Sequence, residues 1–440
     1  MKRKRIPANI PEHILYIGVL VLMQAAYILA GFTGDETWFG FNQLRHLGAE
    51  WYAALMLAAI IGIALARRFA RRDMLPDLSM LPAYGKTVLS LAVSLFAVAL
   101  FITFANMDVN RDGLRFATKI MQDVPARGYF ANHDELLELY VHSRFWFYTQ
   151  SWFGWSVLHS YQVLSALSGG FFVYLVLRFA RDIPGAGWRF ALFIFSCGFM
   201  QLFFGTVENY SLVATLLTLY LYSSYRFLNE KTSLVEPSAV LAVAMCFHLL
   251  AGWILPSLVY LYVTAMRKRR TKETLAGTGA FAGIIGGVFL AFHFNGLPLR
   301  ELLYNSHALG HGGDFGSKLA VPSWEYYRDM VNVLFLLCPL VLIVVPLAIH
   351  GRILRCPFNV FLLIASSFSI IFLFVWRAQF GAYEDWNLYA PGLIPVGVFL
   401  AYNFVKAPPF KLSRTIFALL LATAMLHTYS WIISNHYFPH

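Results

Sequence analysis

Charge is what this chain has least of. Lys, Arg, Asp and Glu together make 13% of its 440 residues and 59% are hydrophobic, whereas charged residues are about 25% of a soluble domain. That balance excludes a water-soluble fold. Cysteine is scarce too. Cys197, Cys246, Cys338 and Cys356 lie far apart with no CxxC spacing, which excludes a thiolate metal or redox site and leaves free core cysteines. The net charge of +11 comes with no nucleic-acid motif and no continuous basic stripe, so nucleic acid is excluded as a partner. No small-residue cleavage site follows the first apolar run, HILYIGVLVLMQAAYILAGF after MKRKR. That run reads as an uncleaved signal anchor. No two halves align as repeats, which speaks against an inverted-repeat transporter.

Apolar segments fill the space that charge leaves. Runs long enough to cross roughly 30 Å of hydrocarbon fall near 13–32, 51–66, 86–105, 153–178, 187–204, 210–227, 236–249, 251–265, 275–293, 332–349, 358–376, 390–405 and 415–434. The expected fold is an all-α polytopic membrane protein of about 13 transmembrane helices. Within 236–265 the motif FHLLAGW reads as a tight turn between two short helices.

Counting alternate loops with the N-terminus inside puts 24 Lys and Arg against 7 Asp and Glu on the inner side, and 10 against 16 on the outer side. The positive-inside rule then sets a cytoplasmic N-terminus and an outer C-terminus. Acidic residues hardly affect topology, so their gathering outside needs another reason. The inner loops beyond residue 86 are short, so chemistry is expected to face outward.

Residues 106–150 are the longest polar interruption, with Asp108, Asp112, Asp123, Asp134, Glu135 and Glu138. After Asn110-Arg111-Asp112-Gly113, LRFATKIMQDV reads as an interfacial helix carrying Leu114, Ile120, Met121 and Val124. Gly128-Tyr129-Phe130 breaks it, and HDELLELYVHSRFWF gives a second helix. There Leu136, Leu139 and Tyr140 are expected to touch lipid while Asp134, Glu135 and Glu138 face water. Two such amphipathic juxtamembrane helices would roof a polar cavity.

A carboxylate after an outward-going helix, two juxtamembrane helices around a Gly-Tyr, and a span ending in basic residues (SALSGGFFVYLVLRFAR) resemble the N-terminal module of GT-C glycosyltransferases. The branch most resembled depends on polyprenyl-phosphate sugars and includes protein O-mannosyltransferases and aminoarabinose transferases. The resemblance spans roughly 86–400 in layout and 106–230 in motif. It implies a 1–85 two-helix addition, an 86–230 catalytic module, and a 231–440 set of C-terminal helices with outer loops 295–332 and 377–391. It also implies a polyprenyl-phosphate-linked sugar donor, a lipid, glycan or protein acceptor, membrane lipids as surroundings, and a bacterial inner membrane as location. The family's acidic position falls on Asp112; Asp134 and Glu135 compete for it, and Asp35 or Glu36 could claim it from a loop too short for two such helices.

Sugar transfer needs a base near the acceptor hydroxyl and cationic or hydrogen-bonding groups on the leaving phosphate. Arg111, Arg115, Lys119, His133, His142, Arg144 and Arg377 are the outer cations near the relevant helix ends; the plainer reading of each is a headgroup anchor. Glu208 and Asn209 in FFGTVENYS either face a cavity or cap a helix. His248 either binds the donor phosphate or bonds a backbone carbonyl at a helix end. In YEDWN, Glu384 and Asp385 can bond sugar hydroxyls, as can Asn387, and Trp386 offers a ring face. The sequence points to no certain cofactor, and a divalent metal is the one candidate without support. SHALGHGGD carries a His-x3-His spacing that suits a divalent metal on a helix, but its glycines argue for a loop. The alternative function is a transporter or lipid flippase using the same carboxylates, kept open by His159 and His427 and disfavoured by span middles nearly free of charge.

Overall fold

The computed structural model describes residues 12–33, 36–43, 83–107, 109, 111–132, 134–298, 319, 323–349, 356–406 and 413–437. Their α-helices are α1 (Glu12–Thr33), α2 (Ala83–Thr103), α3 (Arg111–Arg127), α4 (Leu136–Phe153), α5 (Val157–Asp182), α6 (Gly187–Phe195), α7 (Ser211–Leu228) and α8 (Val235–Phe247). There follow α9 (Leu255–Arg267), α10 (Thr271–Phe294), α11 (Trp324–Leu337), α12 (Val344–Ile349), α13 (Pro357–Val375), α14 (Trp386–Val405) and α15 (Ser413–Tyr437). Apart from a single bridge between Leu319 and Trp376, extended pairing is absent among the described residues. The chain is a multi-pass, all-α membrane protein.

Seven described helices are long and apolar enough to cross a bilayer, or eight if the bent pair α11 and α12 is one span; Ile14–Tyr27 and Val235–Phe247 are shorter apolar helices. The span expected at 51–66 lies outside the described residues, as does SHALGHGGD. Two expected spans depart from simple rods. The one at 187–204 is α6 followed by a 3-10 helix, Gly198–Phe203. The one at 332–349 starts earlier, at Trp324, and turns by 90° between α11 and α12, where Pro339 can neither donate a backbone hydrogen bond nor fit a continuing turn. The FHLLAGW turn is present as a 3-10 stretch, Leu249–Ile254, between α8 and α9.

α14 is the central column: 89% of its apolar window is buried, against 17% for α2 and 11% for α10, which form the lipid-facing periphery. Lipid gives apolar helices little reason to associate, so close packing and polar contacts hold them. Ser168 and Thr215 share a 2.9 Å hydrogen bond, Tyr220 and Ser257 one of 2.8 Å, and Thr428 donates to the Ser196 carbonyl at 2.8 Å. Each contact of this kind contributes on the order of 0.6 kcal/mol.

The segments assigned to the outer side meet at one end of the bundle. Asn106 N donates to Phe204 O at 2.6 Å, Met107 N to Asn435 O at 3.3 Å and Leu249 N to Asp134 O at 3.0 Å. Tyr129 reaches the Asn295 carbonyl at 2.9 Å.

In the 106–150 loop both juxtamembrane helices form, joined at Gly128, whose φ of +77° suits glycine. Their facing differs from the expectation. In α3, Phe116, Ala117, Ile120 and Val124 pack on Leu139, Val157, Tyr161 and Val207, while Leu114 and Met121 face outward. In α4, Leu136, Leu139 and Glu138 are all buried in protein. Glu138 is therefore not on a wet face. α4 packs against α3, α5 and α8, and its first turns, where Leu136 and Leu139 lie, are covered by protein.

Candidate active site

Four chain segments enclose a cavity of about 360 Å³ at this end of the bundle. The start of the large loop supplies Asn106, Val109, Arg111 and Leu114; the turn before α7 supplies Thr206, Val207 and Glu208. The N-terminal end of α14 supplies Tyr383, Glu384, Trp386 and Asn387, and the end of α15 supplies Trp431 and Asn435. Arg111 and Trp386 are each the first residue of their helix. Unsatisfied N–H groups at a helix start, aligned with the peptide dipoles, favour an anion there.

Close backbone approach sets the position of α3. A Cβ on Gly113 would stand 2.5 Å from the Val207 carbonyl oxygen. Any larger residue would push the first turn of α3, and Arg111 with it, away from the 206–208 wall. Across the mouth, Arg111 Nε lies 3.6 Å from Glu384 Oε2, and the guanidinium sits over the Phe380 ring at 5.9 Å. Asp385 is buried and serves its own turn: its Oδ2 accepts from Phe380 N at 2.8 Å and its N donates to Gly381 O at 3.0 Å. That turn presents Tyr383 and Glu384. Trp386 packs edge-on to Trp431 with centroids 4.7 Å apart.

Asp112 sits in the first turn of α3 and its carboxylate lies 3.8 Å from Arg115; unlike Arg111 and Leu114, it is not among the cavity-lining residues. Asp134 contributes its carbonyl to Leu249 N. Glu135 stands at the start of α4, with Oε2 accepting from Asn209 Nδ2 at 3.0 Å and Oε1 3.5 Å from His248 Nε2. At the helix end His248 meets a backbone N–H and not the expected carbonyl: its Nδ1 accepts from Leu250 N at 3.1 Å, capping the 3-10 stretch. Arg377 is exposed and is not among the lining residues. Asp35 lies outside the described residues, as does Asp108.

A polar layer runs behind the cavity. Tyr161 donates to Asn209 Oδ1 at 3.4 Å, and the His142 ring stacks on Tyr161 at 3.8 Å. His142 Nε2 in turn faces Glu138 Oε1 at 3.3 Å. Burial, with the nearby Glu135 charge, pushes the Glu138 carboxyl well above its usual range, and burial pulls His142 down to about 3. Both shifts favour an uncharged pair, the Glu138 O–H donating to Nε2. The Tyr210 ring stacks on His248 with centroids 5.3 Å apart, extending the layer.

Sequence reasoning named Arg111, Glu208, Glu384 and Trp386, which line the cavity, together with Glu135, Asn209 and His248, which form the layer behind it. It missed Asn106, Thr206, Trp431 and Asn435 as lining residues. It also gave Tyr161 and Tyr210 no part in the polar layer. Asn435 had a signal in the polar SNHY run closing the last span. The Glu138–His142 pair had one too, in an i,i+4 acid–histidine spacing that fits one helix face.

No protein-family model and no curated protein matches the chain. Its fold is similar to that of the crystal structure of ArnT from Cupriavidus metallidurans bound to undecaprenyl phosphate. The TM-score is 0.54 at 12% identity, over 80% of this chain and 77% of that one. The all-α multi-pass fold expected from the sequence is thus one that this structure shares.

Proposed function

We propose that the chain is an integral membrane glycosyltransferase that moves a sugar from a polyprenyl phosphate to an acceptor hydroxyl on the outer face of a bacterial inner membrane. The observation that carries this reading is the cavity itself. It joins an arginine at one helix start, a second helix start, two wall carboxylates and a paired tryptophan. Likeness to a fold whose crystal form holds undecaprenyl phosphate supports the donor class.

In this reading the α3 and α14 starts and Arg111 hold the lipid phosphate, and Trp386 offers its ring to the sugar. The acceptor oxygen attacks the anomeric carbon and the bond from that carbon to the phosphate oxygen breaks. The phosphate leaves with the electron pair, and the hydroxyl proton passes to a carboxylate. Glu384 is favoured as that carboxylate over Asp112. It lines the cavity beside Arg111, whereas Asp112 is paired with Arg115. When the phosphate takes Arg111, Glu384 is released from its ion pair to accept the proton. Glu208, buried in the opposite wall, would then face the sugar hydroxyls.

The test is sugar transfer by purified protein in lipid nanodiscs. Removing a general base costs about 10²–10⁴ in rate, and Glu384→Gln should lose activity on that scale. Full activity in Glu384→Gln with loss in Asp112→Asn would move the base role to Asp112. Absence of donor turnover in the parent protein would sink the enzyme reading. The transporter or flippase reading draws on one observation, the 90° break between α11 and α12, and broken spans are common at transporter substrate sites. It requires translocation without cleavage of the sugar–phosphate bond.

A further inference from the structure

The cavity at Arg111 has a neighbour. A second, more open recess of about 380 Å³ lies against the same turn, and Tyr383 and Glu384 line both. Its other walls come from Thr37 and Phe39, in the segment after α1, and from Arg328 and Asp329 on α11. The wall after α1 belongs to the part of the chain that the GT-C resemblance leaves over as an addition. It is fixed in place: Asn332 Nδ2 donates to Thr37 O at 2.8 Å, and Gly40 N donates to Asn332 Oδ1 at 3.3 Å. A Cβ on Gly40 would overlap the Asn332 backbone carbonyl, so only glycine lets the segment lie so close to α11.

The recess has the chemistry of a polyol site. Arg328 gives Nε, at 3.1 Å, and Nη2, at 2.9 Å, to the same Oδ1 of Asp329. This holds the guanidinium in place while its other N–H groups and Asp329 Oδ2 stay outside the pair. A fixed donor beside an acceptor matches neighbouring hydroxyls on a sugar ring. Tyr383, exposed and held edge-on by Phe39 at 5.2 Å, offers aromatic surface for the C–H face of such a ring. One cation against two carboxylates, Asp329 and Glu384, disfavours a phosphate, and the charged walls disfavour an acyl chain.

We propose that this recess is an acceptor subsite that takes the saccharide end of the acceptor and presents its hydroxyl across Glu384 to the donor cavity. The proposal rests on the glycosyltransferase reading above for the word acceptor; saccharide binding by the recess can be measured without it.

The experiment uses the full chain in nanodiscs with two recess variants, the double variant Arg328→Leu with Asp329→Asn, and Thr37→Arg, which fills the space without touching the pair. Binding of a panel of methyl glycosides of glucose, galactose, mannose and N-acetylglucosamine is read by saturation-transfer NMR, and hydrolysis of a polyprenyl-phosphate sugar by water is read separately. The expected result is that at least one glycoside binds the parent and loses tenfold or more in affinity in both variants, while donor hydrolysis stays within about twofold. No glycoside binding by the parent, binding unchanged in both variants, or transfer onto a peptide or unglycosylated lipid with the panel unbound overturns the proposal. Lack of donor hydrolysis in the parent strikes the glycosyltransferase reading alone, because the binding arm still reports on the recess.

Discussion

His248 Nε2 lies 3.5 Å from Glu135 Oε1, and this contact ties the break between α8 and α9 to the start of α4. Because Leu250 N donates to Nδ1, the proton of the neutral ring sits on Nε2, which lies near Glu135 without making a hydrogen bond. The same carboxylate accepts from Asn209, next to the cavity wall residue Glu208. One carboxylate therefore joins three segments that the sequence holds far apart.

Glu135 and His248 should be energetically coupled. A double-mutant cycle of Glu135→Gln and His248→Ala, read by thermal unfolding in a fixed detergent, is expected to give at least about 0.5 kcal/mol of interaction. Strictly additive effects would mean that the contact holds nothing together.

Arg111 should matter for donor binding more than for folding. Its side chain is 72% exposed, so removal leaves no cavity. Losing a hydrogen bond to a charged group costs about 1.5–3 kcal/mol, or roughly 10- to 150-fold in affinity. Arg111→Ala should raise the donor KM on that scale with little change in melting temperature, and Arg111→Lys should recover only part. An unchanged KM would place the phosphate elsewhere.

The Glu138–His142 pair predicts a pH dependence of stability with two arms. A carboxyl whose folded pKa is raised holds its proton more tightly when folded. Its stabilising contribution is present below its unfolded value of 4.5 and is lost as pH rises toward the folded value. Glu138→Gln should therefore gain stability over the parent at pH 8, with the gap closing toward pH 4.5. His142 goes from 6.5 down to about 3 on folding, so its contribution is present above 6.5 and is lost as pH falls toward 3. His142→Phe, which keeps a ring against Tyr161, should flatten that acid arm. Melting curves from pH 3.5 to 8 that are parallel in parent and variants would contradict both assignments.

Much of the architecture was legible because its cause is one-dimensional. A span must be apolar for about 20 residues, and the chain either is or is not. The two juxtamembrane helices and the break at Gly128 were legible for a related reason, since glycine punctuates helices locally. Facing was not legible in α4. Leu136 and Leu139 cover protein, not lipid, and the two environments are equally apolar, so periodicity cannot separate them. Glu138 followed those leucines inward because His142, one turn later, offered its ring nitrogen.

The sequence by itself determined that this is an all-helical membrane protein and that its acidic residues gather on one side. It also singled out the stretch opening at Asn106 as the loop to watch, because hydropathy, charge sign and helix breaks are properties of short windows. Only the tertiary structure decided which carboxylates share a cavity. Glu384 meets Arg111 across 273 positions of chain, and Asp112 turns to Arg115 instead. That choice depends on how closely α3 can approach the Val207 carbonyl and on where the Asp385 turn leaves Glu384. Both are contacts between segments whose distance in space no local pattern encodes.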